Sequence, residues 1–320
     1  MLETPKTLLL ALLLDAAFGD PDWLYGRLPH PVALIGRAIA WLDRRCNREQ
    51  ASDGRRRLSG TLVVALLVAT SAVVGLAIHA LLRRFAFGWI VEAAVTSLLL
   101  AQHSLYRHVA EVARALAGEG LAGGRRAVSR IVGRDPESLN EAGVCRAALE
   151  SLAENFSDGV VAPLFWAVVA GLPGILVYKT VNTADSMIGH RTARHLAFGW
   201  AAARFDDLLN LVPARLAGLL LAAAGIFVPG ATPRQAFAAM IRDAAKHRSP
   251  NAGWQEAALA GALGVALAGP RRYGGTVVED HWMNDGGRSE ATVTDIRRGL
   301  AVYAIACVLQ AAILAVFVAI

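Results

Sequence analysis

The sequence predicts an all-α fold: a polytopic integral membrane protein built of helices, with one cytoplasmic helical segment. Three observations carry this expectation. Of 320 residues, 55% are hydrophobic and only 18% charged, with a mean hydropathy of +0.43, where a soluble domain carries about 25% charged residues. Several apolar runs reach the roughly 20 residues that a bilayer-crossing helix needs. No stretch alternates apolar and polar residues with period two between turn signals, so no sheet of consequence is expected. No Ser/Gly/Pro linker divides the chain, and residues 1–320 read as a single membrane-embedded domain with 106–155 as its extramembrane segment.

Taken in order, Lys6 followed by an apolar run resembles a signal peptide. Asp15 interrupts the run and Gly19-Asp20-Pro21 follows without a small-residue cleavage site, so it reads as a retained first helix. Pro29-His30-Pro31 is a turn with a short helix restarting after it. The clearest spans are 58–82 and 300–320; 85–105, 160–178 and 208–228 are interrupted by polar residues or by Pro and Gly. About five or six spans are expected. Within 106–155, Val109, Val112, Ala113 and Leu116 follow helical spacing, and Gly118 to Gly124 end that helix. Ser138 with Glu141 is a capping-box pattern that starts another near Leu139. The run 160–178 contains Pro163, Gly171, Pro173 and Gly174, which suits either a kinked span or a re-entrant hairpin lining a cavity. Residues 254–269 suit a packed or half-inserted helix.

The net charge of +6 does not point to nucleic acid, because no binding module accompanies it. Arg44, Arg45, Arg48, Arg55, Arg56 and Arg57 precede the first long span and place that loop in the cytoplasm; Arg83 and Arg84 at its far end fit this rule poorly. Cys46, Cys145 and Cys307 are odd in number and far apart, supporting neither disulfides nor a zinc site.

Ionisable groups beside a span usually mark a site. Glu150, Glu154 and Asp158 fall at i, i+4 and i+8, with Asn155 beside them; like charges so spaced repel and favour a cation or a basic partner, the bland alternative being a solvated face paired with Arg146. Asn182, Ser186 and His190 repeat the spacing, with Asp185 and Arg191 alongside. Arg204, Asp206 and Asp207, followed by Asn210, look like one magnesium-diphosphate motif of a membrane prenyltransferase, or like an interfacial salt-bridge set with Arg215. In His247-Arg248-Ser249-Pro250-Asn251-Ala-Gly-Trp254, Ser249 can cap a helix whose start attracts phosphate. Walker A, dinucleotide and nucleophile-elbow motifs are not visible.

These strings, together with Gly19-Asp20-Pro21, Pro29-His30-Pro31-Val32 and Pro213-Ala214-Arg215, occur in the order found in the CobD/CbiB family of cobalamin biosynthesis, which the chain resembles from about Asp15 to Tyr273. It departs at His190, where Tyr is expected, and at Arg248, commonly apolar. The resemblance implies adenosylcobinamide-phosphate synthase activity: an ATP- and magnesium-dependent ligase joining the free propionate of adenosylcobyric acid to aminopropanol or its phosphate. It implies a multi-pass protein of the inner membrane, in contact with lipid, with its polar clusters meeting at a cytoplasmic active site. Self-association, or contact with other corrinoid-assembly enzymes, is the expected protein partnership. On this reading Glu154, Asp158, Asp185, His190 and Asp207 are catalytic, and Glu154, Asp158, Asp185, Asp206 and Asp207 are magnesium-linked. Asn155, Asn182, Ser186, Arg191, Arg204, His247, Ser249, Asn251, Trp254 and His30 bind substrate or phosphate. The rival expectations are a transporter, which predicts two similar halves, and a prenyl-type transferase, which predicts a second Asp-rich motif.

Overall fold

A computed structural model describes residues 5–20, 25–26, 29–133, 135–273, 276–278 and 280–319. Pro21 of the Gly-Asp-Pro string lies outside them. The chain is 76% helical. Among the described residues the α-helices are α1 (Pro5–Phe18), α2 (Pro31–Cys46), α3 (Asp53–Leu82), α4 (Gly88–Ser97), α5 (Gln102–Val128), α6 (Glu141–Phe156), α7 (Ala162–Ile188), α8 (Trp200–Leu209), α9 (Leu211–Ala224), α10 (Pro233–Asp243), α11 (Ala252–Leu263) and α12 (Val293–Ala319). Among the described residues the strands are two short antiparallel pairs: β1 (Leu267–Ala268) with β4 (Trp282–Met283), and β2 (Arg271–Tyr273) with β3 (Thr276–Val278). Two compact units emerge: Met1–Ala101, Ala162–Asn210 and Leu314–Ile320 in the first, Gln102–Val161 and Leu211–Ile313 in the second.

Among the described residues three helical stretches are long and apolar enough to cross a membrane, Asp53–Leu82, Glu141–Ile188 and Val293–Phe317, or four if the bent pair Trp200–Leu209 and Leu211–Phe227 is one span. That is fewer than the five or six expected. The run 85–105 falls short because α4 has only 10 residues and buries Glu92; α1 has 14, about 21 Å of helix.

In the first unit the run around Pro173 takes the doubled-back form. Gly171 has φ 65°, and a Cβ at Gly174 would lie 2.2 Å from the Trp166 carbonyl oxygen; in a continuous helix residues eight apart are separated by about 12 Å. Trp166 Nε1 donates to Leu209 O at 3.0 Å, tying one arm of this hairpin to the end of α8. The other arm meets α3 at Gly75, where a Cβ would come within 2.6 Å of Pro173 Cα. Ile39, Val63, Val64, Ala184, Ile188, Phe198 and Ala202 form the core among α2, α3, α7 and α8.

The second unit packs α5, α6, α9, α11 and α12 around Leu149, Leu152, Phe156, Leu221, Leu259 and Val302. Gly120, at φ 65°, reverses α5, so that a Cβ at Gly124 would meet Leu116 Cδ1 at 2.7 Å. The cap of α6 is Asn140, whose Oδ1 accepts from Gly143 N at 2.8 Å. Ser138 instead closes a single 3-10 turn begun by Asp135, so the helix starts two residues later than the capping-box pattern suggests. Asp243, with its side chain fully buried, joins α10 to the turn after β4: its carboxylate accepts from Arg242 Nη2 (2.6 Å), Lys246 Nζ (2.7 Å) and Asn284 N (2.9 Å). Burial alone raises its pKa, but these hydrogen bonds outweigh it and hold the group at about 2.

Two outcomes follow for stability. Gly75→Leu forces α3 away from Pro173 and lowers stability in detergent by about 1–3 kcal/mol, whereas Gly54→Ala, which meets nothing within 4 Å, leaves the melting temperature unchanged or slightly raised. Because the folded Asp243 pKa is depressed, its contribution is complete above the ordinary carboxylate pKa. It fades as pH falls from about 4 through about 2, a loss of roughly 1–2 kcal/mol after allowing for the exposed Arg242 and Lys246. Asp243→Asn flattens the stability profile in that window, as urea midpoints measured between pH 5 and pH 2 would show.

Candidate active site

In the first unit, α7 and α8 bring a set of oxygen and nitrogen groups together. The last two turns of α7 carry Asn182, Asp185 and Ser186, and the helix ends at Ile188, where Gly189 N donates to Asp185 O at 2.7 Å. A Cβ at Gly189 would lie 1.9 Å from Asp185 Oδ1, so only glycine lets that carboxylate fold over the helix end. His190 and Arg191 therefore sit in the loop beyond the helix, not on a continued face with Asn182 and Ser186. On α8, one turn presents Arg204, Asp206 and Asp207.

Asp206 is buried, and both its oxygens are held by amides: Asn182 Nδ2 donates to Oδ1 at 3.3 Å and Asn210 Nδ2 to Oδ2 at 2.9 Å. The fully buried Tyr178 hydroxyl donates to Asn210 Oδ1 at 3.0 Å and fixes which way that amide faces. Asp207, a quarter exposed, pairs with Arg204 at 3.3 Å. Asp185, Asp206 and Asp207 are close enough to repel one another, and His190, Arg191 and Arg204 are the cationic or protonatable groups that offset them. Ser186 is exposed on the same helix end.

Among the described residues no three His, Cys, Asp or Glu side chains are arranged to hold a metal ion between them. The donor set still fits magnesium, which binds hard oxygens and is usually held by one or two carboxylates plus phosphate oxygens of its substrate. Asp206, with both oxygens engaged by amides, orients the cluster; Asp185 and Asp207 are better placed to meet such an ion.

The other predicted residues behave differently. His30 caps α2, its Nδ1 accepting from Val32 N at 3.1 Å, while Nε2 lies 3.4 Å from Asp20. In the second unit, Glu150 is buried and accepts from Ala268 N at 3.0 Å, which holds β1 and removes it from the carboxylate stripe. Glu154 and Asn155 are exposed; Asn155 Nδ2 donates back to Ser151 O at 2.9 Å. Asp158 falls in the wider π-helical turn Ser157–Val161, which rotates it out of the i, i+4, i+8 register. Ser249 Oγ accepts from Asn251 N (3.2 Å) and Ala252 N (3.3 Å), and Ser249 N donates to His247 Nδ1 at 3.0 Å, so these amides serve the local cap. His247 Nε2 lies 3.8 Å from Glu256 Oε1, and Arg215 stacks over Trp254 at 4.4 Å.

Tyr178 carries weight that its sequence context hides, since a tyrosine inside an apolar run reads as packing. Asn210, four residues after Asp206, is at helical spacing to reach it and is the one available signal for the amide clamp.

The family model described as CobD/Cbib protein matches residues 8–303. A Sinorhizobium protein described as "Cobalamin biosynthesis protein CobD" is 53% identical over 309 residues, covering 95% of each chain. Proteins so described from Rhizobium meliloti and Brucella suis are 52% and 51% identical, covering 94% and 92% of this chain and 92% and 90% of their own. No solved structure matches. Neither a transporter nor a prenyl-type transferase finds support in these relatives. The motif order, the helical fold and these matches together make the chain a member of the CobD/CbiB family of cobalamin-biosynthesis proteins.

Proposed function

We propose that the chain is a polytopic inner-membrane enzyme, an adenosylcobinamide-phosphate synthase, that forms an amide between adenosylcobyric acid and aminopropanol or its phosphate at the expense of ATP. The observation that carries this reading is the grouping of Asp185, Asp206 and Asp207 with Arg191, Arg204 and His190, a set suited to phosphoryl transfer.

A carboxylate resists attack by an amine, so it must be activated. One propionate oxygen attacks the γ-phosphorus of ATP and ADP leaves, giving an acyl phosphate. The amine nitrogen then attacks the acyl carbon, inorganic phosphate leaves with that oxygen, and the amine proton passes to a base. Magnesium, when bound, neutralises charge on the β- and γ-phosphate oxygens. Asp185 and Asp207 would hold it, Asp206 would keep both in place, and Arg191 and Arg204 would stabilise charge gathering on the transferred phosphoryl group. Neutral His190 or a carboxylate would accept the amine proton. Within the second unit, Arg215, stacked on Trp254, and Arg248, beside the Ser249 cap, would offer positive charge to a phosphate group bound there.

The membrane setting rests on α3. From Arg57 to Arg83 its axis rises about 39 Å, close to a bilayer's thickness including headgroups. Arg57 lies over Trp200 at one end (5.1 Å) and Lys6 over Trp89 near the other (5.1 Å), as expected of interfacial anchors. Leu58, Leu62, Leu66, Val73 and Leu76 are exposed between them. With the arginine-rich end cytoplasmic, the chain meets ATP where ATP is present.

Purified full-length protein in detergent, given adenosylcobyric acid, aminopropanol phosphate, ATP and magnesium, should yield the amide by mass; no product with either amine would reject the assignment. Asp185→Ala and Asp207→Ala should each lower kcat by about 100-fold or more while membrane insertion is retained. A comparable loss in Glu154→Ala and Asp158→Ala would support the magnesium-linked role that the family resemblance implies for them, and near-normal turnover would make them structural. Asn251→Ala should raise the KM of one phosphate-bearing substrate more than that of the corrinoid; an equal effect on all substrates would make residues 247–254 a helix cap only.

A further inference from the structure

His190 and Arg191 lie on the loop 189–199, which links the two helices that carry the carboxylates. That loop is pinned far more firmly than its exposed sequence suggests. At its end, a Cβ at Gly199 would lie 1.6 Å from Ile188 O, and a Cβ at Gly60 of α3 would lie 1.8 Å from Phe198 O, so backbone packs directly on backbone. In its middle, Arg56 of α3, only 8% exposed, donates from Nη2 to the carbonyls of Arg194 and Ala193. Asn47 orients Arg56, its Oδ1 accepting from Arg56 Nε at 3.0 Å, and its own Nδ2 donates to Arg194 O at 3.0 Å and to Asp43 Oδ1 at 2.9 Å. Arg194 closes the set with ion pairs to Asp43 (2.8 Å) and Glu49 (2.8 Å). Nothing in the proposed chemistry uses Arg56, Asn47 or Asp43, yet two buried donors, Arg56 and Asn47, converge on one loop carbonyl, and Asp43 holds both Asn47 and the Arg194 side chain.

We infer that Arg56, aimed by Asn47, is a positioning residue: by clamping the carbonyls of Ala193 and Arg194 it sets where the loop presents His190 and Arg191 to the Asp185/Asp206/Asp207 cluster. The geometry requires a guanidinium, since one planar group bridges Asn47 and the loop backbone at once, and a lysine ammonium offers the charge without the fork. The catalytic consequence rests on the ligase reading above; the clamp itself does not.

The test uses full-length protein in detergent and two readouts. Hydrogen exchange of peptides covering 189–199 should rise at least about tenfold in both Arg56→Gln and Arg56→Lys, with α3 and α7 protected as in the parent. Turnover should fall about 10–100-fold with corrinoid KM within about twofold, because a displaced cation costs transition-state stabilisation more than binding. In an Arg191→Ala background, Arg56→Gln should add no more than about a twofold loss, since its effect runs through a loop cation already removed. Asn47→Ala, which keeps the buried charge, should reproduce the loop loosening should Arg56→Gln fail to fold. Restoration of loop protection and turnover by lysine would overturn the proposal, as would an undiminished Arg56→Gln effect in the Arg191→Ala background. Absence of ligase activity in the parent, with the exchange result as expected, would reject the reaction and keep the clamp.

Discussion

Asp206 is a carboxylate buried in helical packing, and the first unit is arranged around keeping it satisfied. An unpaired buried charge costs several kcal/mol, yet its nearest acidic neighbours, Asp185 and Asp207, repel it. The compensation is neutral: two side-chain amides, Asn182 and Asn210, each donating to one oxygen, with Tyr178 fixing the second amide. Both donors and the carboxylate lie within two turns of helix ends, so the ends of α7 and α8 must stay in register. The Trp166 bond to Leu209 and the backbone packing of Gly60 and Gly199 hold that register from outside the cluster.

Glycines at reversals shape the polar cluster's surroundings. Gly171 doubles α7 back within an apolar run, and the arm after the turn, Leu172 to Ile188, ends at the polar cluster. Broken helices at membrane depth are stable where they pack against protein, and here α3 and α8 cover the two arms. The proposed membrane placement and the proposed chemistry are thus linked: a hairpin that returns to the side it left can place a polar helix end where water-borne substrates arrive.

The all-helical class, the long apolar stretches and the grouping of Asp185, His190, Arg191, Arg204, Asp206 and Asp207 were legible in residue spacing and motif order. Periodicity misled in two ways. The i, i+4, i+8 stripe of Glu150, Glu154 and Asp158 assumes one continuous α-helix, but a π turn shifts Asp158 and a strand amide claims Glu150. Asn182, Ser186 and His190 look equivalent at that spacing, but α7 stops before His190. The capping of α6 by Asn140 rather than Ser138 turns on local backbone hydrogen bonding that a residue pattern does not encode. The clamp of Arg56, Asn47 and Asp43 joins positions more than 130 residues from the loop it holds, a long-range contact with no local signature.

The most direct test of the central claim follows the oxygen atoms. Adenosylcobyric acid labelled with 18O in the free propionate carboxylate is turned over with ATP, magnesium and aminopropanol phosphate, and the released phosphate is analysed by mass. Activation as an acyl phosphate predicts one 18O in inorganic phosphate for each amide formed, and ADP without label. Label in AMP, or amide formation with no transfer of label to phosphate, would contradict the account.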